Sequence, residues 1–242
     1  MTDPRLLPRT IAVLGCGGLG VPAAWTLALD GRYPLVLIDD DCVELSNLHR
    51  QVLYATAEVG QPKAPALARA LLEVAPQLQV EVRQGRLGPA NAAALLQGCD
   101  AVLEGTDDAV SKFAVNDWAV GAPAGVQRVA SIAAAIGRRG QWMVVRSAGP
   151  CYRCLFEEPP QPESLATCQI AGVLGPAVGQ VGALAARSLL RVLAGEADSA
   201  DGALVRLQAR GLLRTPVAAA AACRCQARGD GAADSEPWGQ HV

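Results

Sequence analysis

Gly15-Cys16-Gly17-Gly18-Leu19-Gly20 has the G-x-G-x-x-G spacing of a turn that brings backbone against a phosphate. The first glycine permits the tight turn, the second lets backbone approach an anion, and the third lets the following helix pack closely on the preceding strand. The start of that helix offers unpaired N–H groups to negative charge. Asp39 follows at about the 20-residue distance where such folds hold a ribose hydroxyl with a carboxylate. These features indicate a nucleotide without saying which, and a NAD-dependent oxidoreductase is the default reading. The run from Asp39 through Asp41 to Asn47, Arg50 and Gln51 then places a cation and two amides directly after the ribose carboxylate. Hydride transfer has no evident need for them.

Other residues could also carry chemistry. Asp107 follows an apolar run, where an acid could hold a metal or cap the next helix, and Asp108 could take the capping role instead. Cys151-Tyr152-Arg153-Cys154 has the two-residue gap of a structural zinc knuckle, a pair left reduced and metal-free being the alternative. Cys168 precedes a long helical stretch whose N-terminus would favour a thiolate, although a small buried residue is an equal reading. Cys16, Cys42 and Cys99 are expected only to pack. Taken without context, Arg50 is a surface ion and Lys63 a helix-start lysine.

The elements that must position these groups alternate. Ile11 to Leu14 and Pro34 to Ile38 are short apolar strands, with a helix from Val21 to Asp30 between them and Gly31 as its stop. Residues 40 to 62 form a connection long enough to be functional. Helical spacing from Lys63 to Val74, alternation at Leu78, Val80 and Val82, a helix over about 89 to 97 and a strand from Ala101 to Leu103 complete the pattern. Such strand–helix alternation requires a parallel sheet with right-handed crossovers, and ligands bind at its carboxyl edge. A helix over 109 to 120 follows, then strands at Gly125 to Ile132 and Gln141 to Arg146 around the turn-like Gly137 to Gly140. A polar, proline-rich connection from Glu157 to Thr167 is expected to be mobile. Beyond it come a small-residue helix, Gly172 to Leu193, and strands at Ala203 to Gln208 and Leu212 to Val217. The tail, 226 to 242, has no periodicity and is expected to be disordered.

With 242 residues and 51% hydrophobic content, the chain fits one large domain, or one domain with a small appendage, and can bury a substantial core. A net charge of −2 gives no footprint for nucleic acid or an anionic membrane surface. No signal peptide is expected, and Ala171 to Gly195 carries too many polar residues and glycines for a membrane span. Eight cysteines in a chain expected to be cytoplasmic point to metal or thiol chemistry before disulfides.

The glycine loop followed in order by D-x-D-x-V-x-x-S-N-L-x-R-Q, at Asp39 to Gln51, resembles the MoeB/ThiF/HesA family, the bacterial relatives of ubiquitin-activating enzymes. The resemblance runs over about residues 10 to 225. It implies a Rossmann-like α/β fold, with a mainly parallel sheet flanked by helices and extended by a mixed or antiparallel C-terminal half carrying a zinc knuckle. It divides a single domain, 1 to 225, into a nucleotide half (10 to 120) and a carrier-binding and zinc half (121 to 225). It also implies ATP-dependent adenylation of the C-terminal glycine of a ubiquitin-like sulfur carrier ending in Gly-Gly, by a homodimer.

By the same resemblance Gly15, Gly17, Gly18, Gly20, Asp39 and Asp41 bind the nucleotide. Asn47, Arg50, Gln51 and Lys63 contact the triphosphate, with Arg50 and Lys63 as catalytic cations. Asp107, in a Thr-Asp match, holds Mg2+. Zn2+ is held by Cys151 and Cys154 with a second pair, here Cys223-Arg224-Cys225, which has one intervening residue where the family has two. Cys168 matches a cysteine that can take part in sulfur transfer. The family's upstream R-Y-x-R-Q motif has no counterpart before Ile11, where only Arg5 and Arg9 stand. A non-catalytic nucleotide-binding scaffold of the same fold is therefore a third reading.

Overall fold

The computed structural model describes residues 9–147, 149–160, 172–221, 223 and 225. One eight-stranded sheet organises them, built from β1 (Ile11–Leu14), β2 (Leu35–Ile38), β3 (Val80–Arg83), β4 (Ala101–Glu104), β5 (Val129–Ile136), β6 (Arg139–Arg146), β7 (Ala203–Gln208) and β8 (Gly211–Pro216). Their order across the sheet is β3-β2-β1-β4-β5-β6-β7-β8. The first five strands are parallel and the rest pair antiparallel. The parallel half extended by an antiparallel half therefore stands as the sequence implies.

Strands β1, β2 and β4 are buried along their whole length, as apolar runs covered on both faces must be. One face is covered by α1 (Gly20–Asp30), α2 (Lys63–Val74) and, further along the chain, a long helix at Gly175–Leu193. The other face carries α3 (Ala92–Leu95) and α4 (Ala109–Val120), with Phe113, Trp118, Met143 and Tyr152 in its core. Between β1 and β4 the chain's crossovers change face, so the loops after these strands diverge and open a crevice at the carboxyl edge.

The helix at Gly175–Leu193 follows the short α5 (Arg153–Phe156) and becomes α6. Its small residues let it lie directly on α1: a Cβ on Gly182 would stand 2.2 Å from the Leu19 carbonyl oxygen. Trp142 of β6 is buried beneath it and donates its indole N–H to Ser188 at 3.1 Å. Large apolar side chains buried in this way stabilise the fold by roughly 1.5–3 kcal/mol each. No helix among the described residues is long and apolar enough to cross a membrane.

Several boundaries differ from the sequence reading. Strand β5 covers Val129–Ile136 instead of beginning at Gly125, and the β5–β6 connection is only Gly137 and Arg138. Both strands extend because pairing continues to Ile136 opposite Arg139, beyond the end of the parallel sheet. Helix α3 is one turn long, since Pro89 and Asn91 occupy its approach. Residues 40 to 62 contain two short 3₁₀ turns, Leu45–Asn47 and Thr56–Glu58. Cys42 is exposed, while Cys16 and Cys99 are buried as expected. Residues 161 to 167 of the polar connection, Cys168 and the tail from 226 lie outside the described residues.

Candidate active site

The glycine loop joins β1 to α1 at the crevice. Gly15 has φ +84°, a conformation that disfavours side chains, and a Cβ there would meet Thr106 of the β4–α4 loop at 2.9 Å. A Cβ on Gly20 would stand 1.7 Å from the Gly15 carbonyl oxygen, so only glycine lets α1 begin there. These close approaches bring the loop after β1 and the loop after β4 into contact.

Asp39, just past β2, secures the turn through its carboxylate. It accepts a hydrogen bond from the Cys16 N–H at 2.5 Å and another from the Asp41 N–H at 2.8 Å. Burial pushes its carboxyl above the usual range, and the two backbone donors oppose that rise. Burial likewise pushes the Cys16 thiol well up. Tyr54 completes the underside by donating to the Cys16 carbonyl at 2.7 Å.

The Asn-Arg-Gln group lies over this loop. Arg50 packs its methylenes where a Cβ on Gly18 would stand, at 3.2 Å, and Gln51 Nε2 lies 3.6 Å from the corresponding position at Gly17. Arg50 donates to the Asn47 side-chain oxygen, and Asn47 donates to Glu44 at 2.9 Å. Gln51 is 2% exposed, yet its Oε1 has no hydrogen-bond partner among the described residues. Such an orphaned buried acceptor fits a site completed by a ligand or water. Lys63, the first residue of α2, is 6% exposed and pairs with Asp41 at 2.6 Å. The fold thus gathers Gly15, Gly17, Gly18, Gly20, Asp39, Asp41, Asn47, Arg50, Gln51 and Lys63 around one loop.

Asp107 is exposed at the tip of the β4–α4 loop and makes no hydrogen bond or ion pair among the described residues. Helix capping belongs to its neighbour: Asp108 accepts from the Val110 and Ser111 N–H groups at 3.3 and 3.1 Å. Asp107 is therefore free to take a ligand. Asp39, Asp40 and Asp41 form a separate group of carboxylates in the loop after β2. A cleft of about 410 Å³ opens at the start of α4, lined by Arg86, Leu87, Gly88, Asn91, Asp108 and Val110.

Sequence reasoning missed the support behind this loop. Glu104, the fully buried last residue of β4, pairs with Lys112 of α4 at 2.5 Å. Glu104 also accepts from the Thr106 N–H at 2.9 Å. An acid ending an otherwise apolar strand, eight residues before a lysine on the next helix, was the available signal.

Cys151, Cys154, Cys223 and Cys225 converge, although one pair is closed by a single intervening residue. Their sulfurs all lie within 4.8 Å of one another, with three separations of 3.8, 3.6 and 3.5 Å. Four thiolates about 2.3 Å from a tetrahedral zinc stand about 3.8 Å apart, so the cluster fits that ion. Arg153 within the knuckle pairs with Asp117 of α4 through its Nε and one terminal guanidinium nitrogen, each at 2.8 Å, and the Tyr152 N–H donates to the buried Asn116.

The sequence matches the profile of the ThiF family over residues 4–227. The chain belongs to the ThiF family. It is 35% identical over 235 residues to the SAMP-activating enzyme E1 of Haloferax volcanii, covering 96% of this chain and 84% of that protein. It is 37% identical over 206 residues to the adenylyltransferase and sulfurtransferase MOCS3 of Xenopus laevis, covering 85% of this chain and 45% of the relative. This ThiF-family chain thus spans less than half the length of that eukaryotic protein. Among solved structures, E. coli MccB with ATP superposes with a TM-score of 0.75 at 19% identity, over 91% of this chain and 68% of MccB, and so shares the fold. The nicotinamide reading finds no support in these relatives.

Proposed function

We infer that the crevice binds ATP and that the chain is an adenylyltransferase, activating the C-terminal glycine of a ubiquitin-like sulfur-carrier protein as an acyl-adenylate. The observation that carries this reading is the placement of Arg50, Gln51 and Lys63 around a glycine loop whose backbone is held by Asp39. The names of the sequence relatives, activating enzyme and adenylyltransferase, support the same reaction class.

In the proposed reaction a carrier carboxylate attacks the α-phosphorus of ATP and the bond to pyrophosphate breaks. Negative charge gathers on the phosphoryl oxygens and the leaving group. Arg50 and Lys63 would meet it with fixed positive charge and Asn47 and Gln51 with amide donors, while Asp39 orients the ribose. For Lys63 this means exchanging Asp41 for phosphate. The cleft beside Asp108 gives room for a base. Asp107 would hold Mg2+, which when bound neutralises phosphate charge. The antiparallel half, residues 121 to 225, would receive the carrier and its Gly-Gly tail, and the cysteine cluster would hold structural Zn2+. A cytoplasmic homodimer, with Cys168 taking part in sulfur transfer, completes the proposal.

The test is carrier-dependent exchange of labelled pyrophosphate into ATP, using a panel of ubiquitin-like carriers ending in Gly-Gly. Exchange supports the reading. ATP binding without exchange for any such carrier would instead identify a non-catalytic scaffold.

A further inference from the structure

Outside the nucleotide contacts, the ammonium of Lys112 is a buried cation with every hydrogen engaged. It is 6% exposed and donates to Glu104 Oε2 at 2.5 Å, to the Thr106 carbonyl at 2.7 Å and to the Ala133 carbonyl at 2.7 Å. An ammonium has three hydrogens, and here each has a partner. Glu104 uses its other oxygen on Thr106, accepting from both the N–H and the hydroxyl. The Thr106 hydroxyl in turn accepts from the Asp108 N–H at 3.2 Å. Every residue flanking Asp107 is therefore tied down, while Asp107 itself projects.

The third Lys112 contact explains why a buried cation stands here. Strands β4 and β5 pair up to Glu104 opposite Ile132 and then separate, as β5 continues into the hairpin. Ala133 lies one residue past the last pair, where β4 no longer offers a strand partner. Lys112 fills that gap, and so links the Asp107 loop to β5 where its parallel pairing with β4 ends and only its antiparallel pairing with β6 continues. Burial raises the Glu104 carboxyl, and the adjacent ammonium opposes that rise. Since isolated ion pairs of this kind are poor sources of stability, fixing geometry is the better account of its presence.

We propose that Lys112 and Glu104 are positioning residues, which hold the β4–α4 loop so that the Asp107 carboxylate is presented to the divalent ion accompanying ATP. The proposal rests on the ATP reading of the crevice. Neither residue touches the nucleotide; both act through the loop backbone, as outer-sphere partners do for metal ligands generally.

The experiment is isothermal titration of the full chain with ATP over a series of Mg2+ concentrations. The double variant Glu104→Gln with Lys112→Met removes both charges together, so no unpaired charge is left buried. It is expected to need about 10–100-fold more Mg2+ for half-maximal binding, the usual loss when such outer partners are removed. Metal-free ATP binding should be unchanged, which a general loss of folding would not produce. Lys112→Arg, which keeps the donors, is expected to restore most of the Mg2+ response. Thr106→Ala removes the hydroxyl that donates to Glu104 but keeps both charges of the pair and the Lys112 contacts, and should shift the Mg2+ requirement in the same direction even if the double variant fails to fold. A folded double variant with the wild-type Mg2+ requirement, or a Thr106→Ala variant with no shift, overturns the proposal. If the wild-type chain itself shows no Mg2+-dependent ATP binding, the reading of the crevice falls and this proposal with it.

Discussion

Lys63 Nζ lies 2.6 Å from the Asp41 carboxylate, but the two partners differ in surroundings: the lysine side chain is 8% exposed and the aspartate 66%. The buried cation is thus held by an anion that water can readily solvate, which makes the pair easy to exchange for a phosphate. Replacing Lys63 by Met should lower pyrophosphate exchange by about 10²–10³-fold, the usual cost of losing one pre-organised charge. The thermal midpoint should change little, because the aspartate left behind is already solvated and methionine fills the buried space of the lysine stem. A calorimetric scan beside the exchange assay checks both.

Adjacent aspartates should separate cleanly. Asp108→Ala removes the cap of α4 and is expected to cost about 1 kcal/mol of stability by denaturant titration. Asp107→Asn, at a residue with no hydrogen bond or ion pair among those described, should leave stability unchanged and raise the Mg2+ requirement of ATP binding.

Metal analysis should find one zinc per chain, and Cys151→Ser should abolish it. Chelation is expected to lower the thermal midpoint, because a bound structural ion stabilises the folded state that forms its site. ATP affinity measured before and after chelation shows whether the loss stays local.

Cys16 offers a test by thiol labelling. Burial pushes its thiol well above the ordinary value, so the neutral form persists through mildly alkaline pH and the reactive thiolate is scarce. At pH 8, iodoacetamide should modify exposed Cys42 and leave Cys16 unlabelled until denaturant is added, as peptide mass mapping would show.

Gly20→Ala should fail to accommodate its methyl group without moving the loop, since its Cβ would stand 1.7 Å from a backbone oxygen. The expected loss is at the upper end of roughly 1–3 kcal/mol, measured by chemical denaturation, together with loss of nucleotide binding.

The parallel half was legible because β1, β2 and β4 are apolar runs closed by punctuating glycines and acids, and a G-x-G-x-x-G turn has one structural context. The grouping of Arg50, Gln51 and Lys63 was legible only through the resemblance; taken singly, each is an ordinary surface or helix residue. Strand β5 was misplaced by four residues because Gly125 to Arg128 carries a strand-like composition, while the true end is set by cross-strand pairing to β6. The role of Glu104 and Lys112 was marked only by an acid ending an apolar strand eight residues before a lysine, and the backbone partners that tie the pair to the loop and to β5 leave no mark in side-chain pattern.

Helix α4 is engaged on two successive turns by unrelated chemistry, with Lys112 at the nucleotide crevice and Asn116 and Asp117 on the cysteine knuckle. Its twelve residues therefore act as a ruler that fixes phase as well as length. One inserted or deleted residue would rotate one end against the other by about 100° and shift it by about 1.5 Å. Because neither anchoring surface repeats along the helix, no neighbouring register would serve both, and α4 should tolerate exchanges of side chain far better than any change in length.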